Sequence, residues 1–280
     1  MSANKNPPQH GAVERLLRND NVIVLSSVSL IVLGASWYTI AGVGMNMSAV
    51  DMTRMAGPIG EPMAMGGGLT WGLSHAVLIF LMWWVMMIAM MTPSAAPTIL
   101  LYVALKRMGP DNARATRLSL YFLAGYLVAW ALFSITATGA QWCLELVGLS
   151  DGPMMTIRSR LFAGIVLIAA GAYQLSSLKS ACLRHCRSPA QFLAEHNRPG
   201  GLGAFRTGAS HGMYCLGCCW ALMALLFVGG IMNLYWIIGI ALYVAAEKLL
   251  PNARWLVPFT GIALIAVGVW LAVDAAILNI

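Results

Sequence analysis

Charge is what this sequence has least of. Only 10% of its 280 residues are Asp, Glu, Lys or Arg, where a soluble domain carries about 25%. With 59% hydrophobic residues, the chain reads as a polytopic membrane protein and not as a soluble domain. Acids are the scarcer sign, ten against seventeen bases. In the long apolar runs only Glu247 and Asp274 are acidic, each near a run's end. Transport of a hard cation calls for several buried carboxylates, so that class is disfavoured. There is no G-x-S-x-G and no G-x-x-x-x-G-K-[ST], which sets aside a serine-nucleophile enzyme and a phosphate-loop protein. A haem pattern and a facial His/His/carboxylate set are missing too. The six cysteines do not form an extracytoplasmic disulfide framework, because only Cys143 falls near an outer face. Reduced thiols are the default for the other positions.

Apolar runs of about 20 residues, enough to cross a bilayer, occur near 22–44, 72–92, 118–142, 160–178, 207–231, 234–249 and 255–278. The expected fold is all-α, a polytopic membrane helix bundle of about seven transmembrane helices. A polar cytoplasmic tail (1–21) precedes a single transmembrane helical domain (22–280), with an outside loop at 45–70. Pro93 and Pro97 interrupt the second run, which suggests one kinked span with a cytoplasmic extension. Threading the N-terminus inside and the C-terminus outside puts fourteen Lys and Arg on the inner side. Only Arg54, Arg158 and Arg160 then fall outside. That is a strong positive-inside bias, as for a multi-pass protein of a bacterial inner membrane in contact with membrane lipids. The same distribution accounts for the net charge of +7 without nucleic acid, since the bases follow topology and form no domain face.

Chemistry concentrates in SHGMYCLGCCW. A helix turns about 100° per residue, so His211, Cys215 and Cys218 share a narrow arc, with Cys219 at its edge. An imidazole and three thiols on one stripe inside a span suit copper as Cu(I), with zinc or iron as other candidates, or a redox dithiol. The plain alternative is that these cysteines pack as small hydrophobes. Gly208, Gly212 and Gly217 flank the stripe and permit the close helix approach that ligands from two spans would need.

The outside loop is rich in methionine and includes Met45, Met47 and Met52. Thioethers favour Cu(I), although methionine also serves as adaptable filler. In the second span His75, Met82, Met86 and Met90 form one stripe, with Met87 and Met91 on another side. The first stripe reads either as packing or as a ladder of weak soft sites from which an ion can still leave. After the fourth span, Gln174 lies near the inner boundary and Cys182, His185 and Cys186 follow among basic residues. This looks like a separate handover or metal site at the cytoplasmic mouth, incomplete without a further ligand. Glu247, at an inner span end, reads either as a structural partner of an arginine in a neighbouring loop, the favoured role, or as a group that moves protons; Lys248 is expected to snorkel to the headgroups.

The combination MWWVMMIAMMTPSAAP, GAYQLSSLKSACLRHCRSP and HGMYCLGCCWALMALLFVGGIMNLYW followed by AAEKLLP resembles a bacterial family of unknown function described as predicted metal-binding integral membrane proteins. The resemblance covers roughly 70–255. It points to Met86, Met90, Gln174, Lys179, Cys182, Cys186, Cys215, Cys218, Cys219, Asn233, Glu247 and Lys248. It implies a metal but names neither the metal nor an activity.

Three functions are consistent with these residues. The first is Cu(I) transport, or copper delivery to a membrane or periplasmic protein partner such as a cuproenzyme. The second is a membrane metalloenzyme or redox subunit. The third is a structural or assembly subunit of a larger membrane complex. Whether the chain is an enzyme is left open by the sequence.

Overall fold

A computed structural model of the chain describes residues 10–42, 48–54, 59, 71–151, 156–250 and 255–278; in the first helix, side chains are described from Ser26 onward. Among the described residues the fold is all-α apart from one two-residue ladder. In chain order the helices are α1 (His10–Ala41), α2 (Ala49–Arg54), α3 (Leu73–Arg107), α4 (Ala115–Leu146), α5 (Arg160–Gln174), α6 (Ser177–Arg187), α7 (Pro189–His196), α8 (Gly200–Ala224), α9 (Leu226–Gly229), α10 (Leu234–Leu249) and α11 (Leu256–Leu278). Between α4 and α5, β1 (Ser150–Asp151) pairs antiparallel with β2 (Thr156–Ile157).

Among the described residues, four helical stretches are long and apolar enough to cross a membrane: Leu73–Arg107, Asn112–Leu146, Gly200–Gly229 and Leu256–Ile277. The pair α5 and α6 would make a fifth, but it bends by 61° at its junction. The bend follows from local chemistry. Ser176 leaves the helical backbone conformation and its hydroxyl accepts from the Lys179 amide at 3.2 Å, which caps a new helix. Asn233 likewise caps α10, its side-chain oxygen accepting from the Tyr235 amide at 3.0 Å. By contrast, α3 runs unbroken through Pro93 and Pro97.

Helix α8 packs along α4, and α4 along α3; α5 pairs with α11, and α6 lies against α8. The α4–α8 contact is backbone on backbone. A Cβ at Gly208 would overlap the Phe122 carbonyl, and one at Gly125 would overlap that of Phe205. A Cβ at Gly212 would come within 2.6 Å of the Ala129 Cβ. The small residues flagged in the sequence therefore do bring a neighbouring helix close. The α5–α11 pair uses the same device at Gly164 and Gly268 and adds an ion pair, Arg160 to Asp274 at 2.7 Å. Between α3, α4 and α8 the core is filled by Trp83, Tyr102, Phe122, Tyr126 and Trp130, all inaccessible to solvent.

Candidate metal centre

Helix α6 folds back from α5 and lies against α8. Two contacts to α10 hold it there. The Lys179 ammonium bonds both oxygens of Glu247, at 3.0 and 2.8 Å, and both side chains are buried. The Arg187 Nε donates to the Glu247 carbonyl at 2.7 Å. Gln174 donates to Glu247 Oε1 at 3.2 Å and the Tyr243 hydroxyl donates to it at 2.5 Å. The carboxylate is thus met by three donors, as a buried charge requires. The partner of Glu247 is a lysine of α6, where an arginine was expected; the arginine takes the backbone oxygen instead.

With α6 fixed, its i, i+4 cysteines face α8. Cys186 Sγ is 4.0 Å from Cys218 Sγ. A Cβ on Gly217 would come within 2.7 Å of Cys182 Sγ, so that thiol packs on bare α8 backbone. Cys215, Cys218 and Cys219 are all buried. The Cys218 and Cys219 thiols each donate to the Cys215 carbonyl, at 3.1 and 3.0 Å. Cys219 Sγ is 3.9 Å from the Met91 thioether of α3. All six cysteines of the chain are free thiols.

Cys215 has a different environment. The Lys248 ammonium donates to its sulfur at 2.9 Å and to the Ser94 hydroxyl at 3.3 Å. The Tyr126 hydroxyl lies 3.3 Å from the same sulfur and donates to the Met91 carbonyl at 3.0 Å. Lys248 therefore does not snorkel. It is 7% exposed and turns inward, because a buried ammonium takes any acceptors within reach. Consecutive residues of α10 thus point to different partners, Glu247 to α6 and Lys248 to α8 and α3.

The structure merges two sites that the sequence separated. Cys182 and Cys186 do not stand alone at a cytoplasmic mouth; they join Cys215, Cys218 and Cys219. His211 is buried on the other flank, its ring 5.1 Å from Phe192 and 5.9 Å from both Phe122 and Tyr126. Its Nδ1 has no hydrogen-bond partner among the described residues. His185 stacks on Tyr214 at 4.1 Å, and His75 packs edge-on against Trp71. Met82, Met86 and Met90 are buried, but the methionine that meets a cysteine is Met91, from the other stripe. Met52 of α2 is buried as well; Met45 and Met47 lie outside the described residues. Ser94, Tyr126 and Met91 were not assigned to the site from sequence, and Lys248 entered only through the family resemblance. The one sequence signal for Met91 was its place with Met87 on the second methionine face of the run MWWVMMIAMM.

Among the described residues, no group of three or more His, Cys, Asp and Glu is set to hold a metal ion. Sulfur pairs remain. A metal with bonds of about 2.3 Å to thiolate holds two sulfurs roughly 3.8 to 4.6 Å apart, from tetrahedral to linear angles. The Cys186–Cys218 and Cys219–Met91 separations fall in that interval. Thiolate and thioether are soft ligands of the kind that suit Cu(I).

Fold and site define a class first: a helical membrane protein whose core gathers five thiols and a thioether beside one ammonium. The chain belongs to the PpoB2 copper chaperone family, whose model matches residues 80–271, from α3 into α11. No curated protein and no solved structure matches the chain.

Proposed function

We propose that this protein holds Cu(I) as cargo in the sulfur cluster between α3, α6 and α8 and delivers it to a membrane or periplasmic cuproenzyme. The family supports copper. The observation that carries the site is the convergence of Cys186 with Cys218, and of Cys219 with Met91, in a buried core beside Lys248. Two thiolates and one Cu(I) carry a net negative charge, which is costly in an apolar interior. The Lys248 ammonium offsets it. Binding releases the thiol protons, and the ion leaves by exchange to an incoming sulfur ligand. We read α1, α3, α4, α5, α8, α10 and α11 as the seven spans, four of which are long and apolar enough by themselves. In this reading they cross a bacterial inner membrane with the N-terminus inside and the C-terminus outside, as the distribution of Lys and Arg favours. The buried methionines of α3 would connect the outer loop with the cluster.

X-ray absorption at the copper edge of the Cu(I)-loaded protein tests the ligand set. A shell of sulfur alone, at about 2.3 Å, is expected. A shell dominated by nitrogen or oxygen would remove the cluster from the account and turn attention to His211.

A further inference from the structure

A second polar site lies beyond the cluster. An open cleft of about 1060 Å³ is bounded by α6, the ends of α5 and α10, and the start of α11. Its polar wall includes Gln174, Ser180, Arg184, Arg187 and Lys248, and among the described residues no acid lines it. Glu247, which contacts the lining residue Gln174, is already paired with Lys179. The cleft is therefore cationic. It also carries unmet hydrogen-bonding groups. Arg187 is anchored through Nε on the Glu247 carbonyl, while its Nη2 is buried without a partner among the described residues. Gln174 is 1% exposed and its Oε1 also lacks a partner there. Orphaned buried groups of this kind are uncommon and ask for a ligand. The lining also has an apolar part, with Leu175, Leu249 and Val257.

We propose that this cleft binds the phosphate-bearing headgroup of an anionic lipid. The guanidinium groups of Arg184 and Arg187 match a phosphate geometrically and electrostatically. The orphaned acceptor on Gln174 takes a headgroup hydroxyl, as a glycerol headgroup supplies and a choline does not. The apolar part of the lining takes the start of an acyl chain. Position agrees with this occupant: Arg184, Arg187 and Lys248 all belong to segments whose bases mark the inner side, where basic pockets between helices receive anionic headgroups. Lys248 is shared between the cleft and Cys215, so the lipid site borders the sulfur cluster directly. The proposal does not depend on copper.

The full chain is reconstituted in nanodiscs of phosphatidylcholine, alone or with phosphatidylglycerol, and bound lipid is counted by native mass spectrometry alongside the thermal midpoint. Wild type is expected to retain phosphatidylglycerol and to melt higher in its presence. Arg184→Gln is expected to weaken retention about tenfold, the scale of one charge-assisted contact. Ser180→Leu, which fills the cleft without touching the Glu247 clamp, is expected to abolish the thermal gain while melting normally in phosphatidylcholine. Equal gains in wild type and both variants would mean a bulk surface-charge effect and overturn the proposal. Equal stabilisation by free glycerol phosphate in phosphatidylcholine discs would overturn it as well, since the site would then read a soluble phosphate and not a lipid.

Discussion

Lys248 Nζ stands 2.9 Å from Cys215 Sγ, an ammonium of α10 held against a thiol of α8 in a buried core. The pair joins two roles. Structurally it ties the end of α10 to the middle of α8. Chemically it supplies the positive charge that a sulfur-bound Cu(I) needs for neutrality in an apolar site.

Lys248→Met should therefore weaken Cu(I) binding by at least tenfold, because two unit charges about 4 Å apart interact by roughly 4 kcal/mol at an effective dielectric of 20, part of it offset by desolvation. A competition titration against a chromogenic Cu(I) chelator measures this. Cys215→Ala alone should cost about 1–3 kcal/mol of stability, since it removes one of the two acceptors of a buried ammonium. Adding Lys248→Met should recover a large part of that loss. Strictly additive losses in the double variant would mean the two groups do not interact.

The Lys179–Glu247 pair should behave as a latch for α6. Glu247→Gln leaves Lys179 buried without its counter-ion, at a cost of about 3–5 kcal/mol. The change should also expose Cys186 to maleimide at a higher rate than in wild type. The apolar pair Lys179→Met with Glu247→Leu should be less destabilised than Glu247→Gln. Unchanged labelling of Cys186 in Glu247→Gln would show that α6 is held by other contacts.

Two glycines of α8 should respond differently to alanine. At Gly208 the new Cβ would overlap the Phe122 backbone, so α4 and α8 cannot close and folded protein should be lost on size-exclusion chromatography. At Gly217 the Cβ meets the Cys182 sulfur at 2.7 Å, a side chain that can shift. Gly217→Ala should fold, with a small change in melting midpoint and a weaker Cu(I) affinity.

Among the methionines, Met91 should matter most for the cluster. Met91→Leu preserves volume and should cost less than about 1.5 kcal/mol in stability, yet it should weaken Cu(I) binding. Met86→Leu and Met90→Leu should bind as wild type does in the same titration. The reverse pattern would place the ion on the stripe first read from sequence.

The apolar runs made the helical membrane fold legible, and the spacing of Gly208 and Gly212 announced a close neighbour helix. The stripe of Cys215, Cys218 and Cys219 was legible from the helical period alone. Less legible was the arrival of Cys182 and Cys186, because their place depends on a 61° bend at a serine cap and on a latch between residues 68 apart in sequence. Periodicity says which residues share a face of one helix, not which face of another helix they meet. For the same reason Met86 and Met90 were favoured over Met91, which differs from Met90 by one step of rotation. Lys248 was misjudged because a lysine at a helix end ordinarily reaches for water; here acceptors on α8 and α3 lie closer.

The most direct test of the central claim is the copper content of the protein purified in detergent under reducing conditions, with Cys215→Ser/Cys218→Ser as the comparison. Near-stoichiometric copper in wild type, lost in the double variant while the melting midpoint persists, is the predicted result. No copper in wild type after reconstitution with Cu(I), or equal copper in both proteins, would contradict it and leave the cysteines as packing residues of the core.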